Sequence, residues 1–438
     1  MSCFWAQSPP PRWRRWVHMP EHSPAEIAQS PAFLKGLRVA LVVPSVSARG
    51  GSERQLQSIM HALRDAGAAV TVFSASASDA ELPGVEVRSD ALRDSMGPWS
   101  RVRQAGAVAA LADEIVGRAD VVEFQRIAPT ALCRNLTRRL PTVLSVYTAE
   151  HTCPSRGRYL PRSSTVCDAA PGLSCLIVDR REQCLCFQDG RTFSWRDRVR
   201  ALLQQRRDVA QASVLSLATF NSRAVEELYS RFVGKPRQSR VIAPPLEAGP
   251  ISHITRSLTR LVFAGRIEEF KGVFDLIPLI EALESCTLEV IGDGAALPTL
   301  REQVRAQGLE ARVRFHGWLE RDDVAAQFAS AAICLVPSRC YEAWAMVGPE
   351  AIAQGCPVVA YDNGGIAEWC LPKFGTRVRV GDVQGLVAAA RHWLAQRSAG
   401  LDTSSWREEA QRRWGMPRFL REYADALSAA MVSFKAAR

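Results

Sequence analysis

The chain has 438 residues, 47% hydrophobic and 23% charged, which is too long for one ordinary core and points to two domains of roughly 200 residues each. No run of about 18 uninterrupted apolar residues occurs, so no membrane span is expected. The net charge of +10 suits anionic partners such as phospholipid surfaces or nucleotide diphosphates, while the absence of an aromatic-basic RNA-binding signature argues against nucleic acid.

The first 35 residues hold Trp5, Trp13 and Trp16 among Arg12, Arg14 and Arg15. No apolar stretch precedes a small-residue cleavage site, so this is not a secretory signal. It reads as a disordered leader or as an anchor at a membrane surface, where Trp and Arg are favoured. Arg38 to Pro44 is a buried-strand pattern, and Gly50-Gly51 lies in the loop that follows. Ser52-Glu53-Arg54-Gln55 is a capping box opening a helix, whose apolar face is Leu56, Ile59, Met60 and Leu63. Gly67 ends that helix, and Ala69 to Phe73 is the next strand, giving a βαβ opening. Further strands are expected at Val121 to Phe124, Thr142 to Tyr147 and Val214 to Ala218.

A linker is expected from Ala243-Pro244-Pro245 to Arg256, and a second alternation begins near Arg260. Strand Leu261 to Ala264 leads into a loop and a helix running to Glu284. Strand Leu288 to Ile291 leads into Gly292-Asp293-Gly294 and a helix running to Gln307. Strand Val313 to His316, helix Asp322 to Ser330 and strand Ile333 to Val336 follow. Strand–loop–helix repetition predicts a parallel, doubly wound sheet with ligands at the carboxyl ends of its strands. The fold class is therefore α/β, with two Rossmann-like domains facing a cleft. The expected division is residues 36–248, with a Cys-containing insertion at about 150–195, then residues 256–415. A final helix over 416–438 would pack back on the first domain, with Pro417 in its first turn.

Arg266 and Lys271 lie in a loop between a strand and a helix. A guanidinium and an ammonium there, with backbone N–H groups and the helix dipole, could neutralise a diphosphate leaving group. As exposed cations, both should be removable without harm to the fold. Glu342 and Glu350 stand eight positions apart, one in a loop after a strand and one on the following helix, so both can face one cleft and hold different ends of an extended ligand.

In order and spacing, Gly265-Arg266, Lys271-Gly272, Gly292-Asp293-Gly294, Pro337-Ser338, Glu342-x7-Glu350, Gly355-Cys356-Pro357-Val358 and Gly364-Gly365-x-x-Glu368 resemble the donor-sugar signature of GT-B glycosyltransferases, in particular glycosyltransferase family 4. The likeness also covers Leu37 to Ser74. It implies a retaining, nucleotide-sugar-dependent hexosyltransferase. Glu342 would contact the transferred sugar and Glu350 the nucleotide ribose. Glu342, Arg266 and Lys271 would form the catalytic set. Gly50, Gly51, Gly292, Gly294, Gly317, Trp318, Trp344, Met346 and Val347 would join Glu350 around the donor. Two departures stand out. The family's glycine-aromatic-glycine after the first glutamate is Ala343-Trp344-Ala345 here, and Tyr147 occupies the register of the family's usual first-domain His, with His151 nearby.

Seven of the twelve cysteines are scattered next to apolar segments and read as reduced, buried thiols. Cys153, Cys167, Cys175, Cys184 and Cys186 are clustered and resemble a family subset. Four thiolates could bind zinc, but the paired C-x2-C spacing of zinc knuckles is missing. A metal, a disulfide staple and reduced packing thiols all remain open, and no metal or cofactor is assigned. No Asp-x-Asp, Walker loop or Gly-x-Ser-x-Gly elbow occurs. The expected function is transfer of a hexose from a UDP- or GDP-sugar to a hydroxyl of a lipid-linked or polysaccharide acceptor, in the cytoplasm and peripheral to the inner face of a membrane. Alternatives are another GT-B enzyme, such as a nucleotide-sugar epimerase or a phosphorylase, and a non-catalytic sugar-nucleotide-binding subunit.

Overall fold

The computed structural model describes residues 31–43, 46, 51–74, 85–88, 101–125, 130–155, 157–186, 194–212, 214–250 and 256–436. The Trp- and Arg-rich start of the chain, Gly50 and residues 251–255 of the expected linker lie outside them.

The first half builds β1 (Arg38–Val43), β2 (Ala69–Ser74), β3 (Glu86–Arg88), β4 (Val121–Gln125) and β5 (Thr142–Val146). A small antiparallel hairpin follows, β6 (Tyr159–Leu160) with β7 (Thr165–Val166), then β8 (Leu217–Phe220) and β9 (Ser239–Val241). Apart from the hairpin, these strands form one parallel sheet in the order β3-β2-β1-β4-β5-β8-β9. The second half builds β10 (Arg260–Ala264), β11 (Thr287–Ile291), β12 (Val313–Gly317), β13 (Ile333–Val336), β14 (Val358–Tyr361) and β15 (Gly375–Val378). They form a parallel sheet in the order β12-β11-β10-β13-β14-β15. The central strands are buried along their whole length, because helices cover both faces. That is why Val121-Val122 and Ile333-Cys334-Leu335-Val336 run apolar without alternation.

Strand order reverses between β1 and β4 in the first sheet and between β10 and β13 in the second. Such switch points open a crevice at the carboxyl edge of a parallel sheet. In the second sheet the loops that leave β10 and β13 carry Arg266, Lys271 and Glu342.

The chain crosses twice between the two sheets, and the crossings lie side by side. Leu246 N–H donates to the Trp414 carbonyl at 2.6 Å, and Leu246 bridges Gly415. The second crossing delivers the helix Met416–Ala436, whose Phe419, Tyr423, Leu427 and Met431 stripe joins the first-sheet core with Leu41, Ile59 and Val72. That four-residue spacing puts one apolar face on the sheet.

Three elements differ from the sequence reading. The helix expected to open with a capping box at Ser52 already begins at Gly51, so Ser52 is not its cap. The strand expected at Val214 to Ala218 is Leu217–Phe220, because pairing with Val143–Val146 fixes its register. The helix expected after Gly272 is preceded by two 3-10 turns, Glu269–Lys271 and Val273–Asp275, and begins at Leu276. Gly272 at φ +68° separates these turns, and the second turn, Val273–Asp275, takes the place of the helix's expected first residues.

One buried acid crosses the first sheet. Glu123, fully buried on β4, accepts hydrogen bonds from Ser145 Oγ, Gln125 Nε2 and the hydroxyl of Tyr423 on the last helix. Burial raises its pKa from 4.5 to about 7, against the lowering effect of Ser145 and Gln125. A carboxyl whose folded pKa is raised contributes stability that is complete below its unfolded pKa and is lost as pH climbs through the folded one. Between pH 4.5 and about 7 the loss is about 3 kcal/mol. Glu123→Gln should flatten this slope, leaving the variant more stable than the parent above pH 7. Urea denaturation across that range checks it, and parallel pH curves for the two proteins would refute the assignment.

Candidate active site

Glycine lets the second-sheet loops touch without side chains between them. A Cβ on Gly272 would lie 1.8 Å from the Pro337 carbonyl oxygen, one on Gly292 1.9 Å from that of Gly265, and one on Gly294 2.3 Å from that of Ile267. Gly364, at φ +58°, sits against the Glu342 carbonyl in the same way. Backbone bonds complete the contact: Ile267 N–H to Asp293 O at 2.9 Å, Gly292 N–H to Gly317 O at 2.7 Å and Gly365 N–H to Glu342 O at 2.8 Å.

Across the switch point, Lys271 Nζ donates to Glu342 Oε1 at 2.5 Å. Burial is the largest influence on Glu342 and pushes its pKa upward. The charge and hydrogen bond of Lys271, the Ser338 hydroxyl and Arg266 outweigh it and hold the carboxyl below its ordinary range. Burial likewise works against the Lys271 ammonium, but Glu342 prevails and raises it. Both groups are thus ionised at neutral pH. Arg266 is exposed beside them, its guanidinium 5.1 Å from the Phe270 ring centroid, within cation–π range. A cluster of polar side chains sets the loop around Glu342. Asn363 Nδ2 donates to the Cys340 carbonyl at 2.5 Å. Arg339 grips Asp275 through two hydrogen bonds of 2.7 and 2.6 Å, and Tyr361 donates to the same carboxylate at 2.9 Å.

Glu350 lies half-buried in the first turn of the helix Val347–Ala353, with Met346 and Val347 at its start. Gly317 closes β12, and Trp318 after it is 51% exposed. These residues therefore share the carboxyl edge with Arg266, Lys271, Glu342, Gly292 and Gly294. Gly51 opens the helix Gly51–Asp65 on the first sheet.

The family described as "Glycosyl transferase 4-like domain" matches residues 50–245, and that described as "Glycosyl transferases group 1" matches residues 259–396. The chain belongs to the group 1, GT4-like glycosyltransferases. Glycogen synthase of Mycobacterium tuberculosis is 33% identical over 139 residues, 31% of this chain and 33% of that protein. D-inositol 3-phosphate glycosyltransferase of Jonesia denitrificans is 31% identical over 193 residues, 38% of this chain and 45% of that protein. The matched stretches thus span under half the length of these curated relatives. The fold is GT-B. Sucrose-phosphate synthase of Thermosynechococcus elongatus superposes with a TM-score of 0.62 at 17% identity, covering 87% of this chain and 96% of that one. Anabaena HepE, solved with UDP-glucose, superposes with a TM-score of 0.62 at 18% identity, covering 89% and 99%.

This GT4-like site departs from two sequence expectations, at Lys271 and at the ring of Trp344. Lys271 is not a free surface cation, since its partner is the buried Glu342, so its removal cannot leave the fold untouched. Trp344 is a core residue, edge-on to Trp414 with ring centroids 6.5 Å apart, and its carbonyl accepts from Trp369 Nε1. The large apolar ring between two small residues marks it equally as an anchor for the loop. Tyr147 shares a buried polar network with Gln125, 3.5 Å from its hydroxyl, and with Glu123. Burial, then Glu123, raises its pKa strongly.

The sequence did not single out Asp275, Phe270 or Asn363. A signal was present for Asn363, which directly precedes the Gly364-Gly365 pair. Asp275 and Phe270 act through tertiary contacts that no local pattern encodes. In the insertion, Cys153, Cys167, Cys175 and Cys184 are free thiols. They are near enough to influence one another: burial, then Asp179, then the other three cysteines push Cys184 up to about 12. Among the described residues, no three His, Cys, Asp or Glu side chains are arranged to hold a metal ion.

Two outcomes follow from this geometry. Lys271→Met should destabilise the protein by about 3 kcal/mol, because it strands a buried carboxylate, and Lys271→Met with Glu342→Gln should recover much of that loss. Urea midpoints measure both, and additive single-variant losses would show that the pair is not coupled. Ala345 holds φ +60° where the family has glycine. Ala345→Gly should therefore raise stability by up to about 1 kcal/mol by relieving the left-handed alanine. A lowered melting temperature would mean that the alanine methyl contributes more through packing than its backbone strain costs.

Proposed function

We propose that the protein transfers a hexose from a UDP- or GDP-sugar to a hydroxyl of a lipid-linked or saccharide acceptor, with retention at the anomeric carbon. The observation that carries this reading is the ionised Lys271–Glu342 pair at the switch point, with the exposed Arg266 guanidinium beside it. Arg266 and Lys271 together exceed Glu342 by one positive charge, which suits a diphosphate. They would neutralise the negative charge that builds on the leaving group as the glycosidic bond breaks. A carboxylate offers about four acceptor positions. Glu342 can therefore keep Lys271 and Ser338 and still accept from a sugar hydroxyl. Glu350, on the adjoining helix, would accept from the ribose. With the acceptor hydroxyl entering on the face that the leaving diphosphate occupies, a diphosphate oxygen takes its proton. The protein's contribution is then positioning and electrostatics. HepE, which shares the fold, is solved with UDP-glucose, and a UDP-hexose is the first donor to test.

No helix among the described residues is long and apolar enough to cross a membrane. A lipid-linked acceptor would accordingly be met from the surface of the bilayer.

Calorimetry with UDP and GDP tests the assignment. Arg266→Ala should weaken the preferred nucleotide roughly tenfold or more without moving the melting temperature. Glu350→Gln should weaken the bare nucleotide, while Glu342→Gln, assayed below its unfolding midpoint, should spare it and lower turnover of the whole sugar donor. Unchanged affinity in both Arg266→Ala and Glu350→Gln would remove the donor assignment. Tight nucleotide binding with no transfer or hydrolysis would make the chain a binding subunit.

A further inference from the structure

The insertion between β5 and β8 exposes apolar side chains that no core needs. Leu173 is 71% exposed, Ile177 64%, Trp195 70% and Leu203 50%, and these are four of the seven large exposed hydrophobic residues among those described. They fall on two helices, Ser174–Glu182 with Leu173 at its N-cap, and Trp195–Ala212. On the first, Leu173 and Ile177 are one turn apart and lead to exposed Arg180 and Arg181, whereas Cys175 and Asp179 are buried on the opposite side. On the second, Trp195, Arg196, Arg200, Leu203 and Arg206 are exposed, and Leu202 and Gln205 are buried. Arg198 joins the helices through Asp179 at 3.1 Å. Each outer face therefore mixes apolar and arginine side chains. The acids nearby are engaged: Glu182 accepts from the Arg162 and Ser163 N–H groups, and Asp197 accepts from Ser194.

We infer that the exposed faces of these two helices dock on an anionic lipid bilayer. Charge complementarity selects this occupant, since apolar side chains ringed by arginines match an interface of acyl chains beneath anionic headgroups. Position agrees with it. Glu182 holds the tip of the β6–β7 hairpin, and that hairpin reaches the donor loop. Tyr159 donates to Glu269 Oε1 at 3.2 Å, and Arg339 Nη1 donates to the Ser164 carbonyl at 3.3 Å. The docked face thus lies one hairpin from Lys271, which brings a bilayer-borne acceptor near the donor. The inference rests on the lipid-linked form of the acceptor reading.

The test uses the full chain, co-sedimented with phosphatidylglycerol-rich vesicles and with vesicles of phosphatidylcholine alone. The parent should bind the anionic vesicles, be released by salt and ignore the zwitterionic ones. Leu173→Ser with Ile177→Ser, and separately Arg180→Glu with Arg181→Glu, should each lower binding roughly tenfold or more. Melting temperature and transfer to a soluble acceptor should stay unchanged. Parent and variants binding alike, or no anionic binding by the parent, would overturn the docking face. So would a dimer, seen by sedimentation velocity without lipid, that the serine variant dissociates. Transfer to a soluble acceptor without vesicle binding would sink this inference and leave the transferase reading intact; vesicle binding without donor affinity would do the reverse.

Discussion

The loops at the carboxyl edge of the second sheet meet backbone against backbone, and the site depends on that contact. Five glycines make it possible. Gly272 faces Pro337, Gly292 faces Gly265, Gly294 faces Ile267, Gly364 faces Glu342 and Gly365 faces Ala343, each at a separation that any Cβ would violate. Three of them, Gly272, Gly292 and Gly364, also hold positive φ values that L side chains rarely adopt. Because strand order reverses between β10 and β13, their outgoing loops diverge and leave a crevice. The glycine contacts pull the walls of that crevice close enough for Lys271 to reach Glu342.

That ion pair has a double character. Taking either charge out of water is unfavourable, and the mutual attraction offsets this only when geometry and further hydrogen bonds are good. Here the geometry is good, with a 2.5 Å contact and Ser338 as a second donor to the carboxylate. A pair of well-packed apolar residues could stabilise the fold as well. Charge here therefore suits chemistry better than stability, as does the left-handed Ala345 three residues beyond Glu342. Both sit where the backbone is held on two sides, by Gly364-Gly365 and by the buried indole of Trp344.

Much of this was legible in the residues. The parallel strands could be read because doubly covered strands are uniformly apolar, and the loops at their carboxyl edge because glycine and charge recur at fixed offsets from those strands. What failed did so for identifiable reasons. The helix expected after Gly272 begins only at Leu276, because a 3-10 turn over Val273–Asp275 comes first and apolar spacing does not separate the two. Lys271 looked like a surface cation because its partner is 71 positions away. Trp344 looked like a donor contact through its place in the family motif, which does not say that its ring turns inward; Trp414, the ring's neighbour, lies in the crossing to the last helix.

The loops around Lys271 and Glu342 do not belong to the second sheet alone. Glu368, at the end of the 3-10 turn begun by Gly364, accepts from Ala224 N–H at 3.2 Å. It thereby shares with Ser222, which accepts from Val225 N–H at 3.2 Å, the capping of the first-sheet helix Arg223–Phe232. On the other side, Tyr159 and Ser164 of the insertion hairpin touch Glu269 and Arg339. The hairpin contact at Glu269 lies two residues from Lys271, and Glu368 ends the turn that starts at the glycine pair beneath Glu342. The paired crossings at Leu246 and Gly415 tie the two sheets at a third point. The Glu269–Lys271 turn and the turn begun by Gly364 each carry a side chain bonded to the first half of the chain. The loops around Lys271 and Glu342 and the elements of the first half that face them are thus joined directly by named hydrogen bonds.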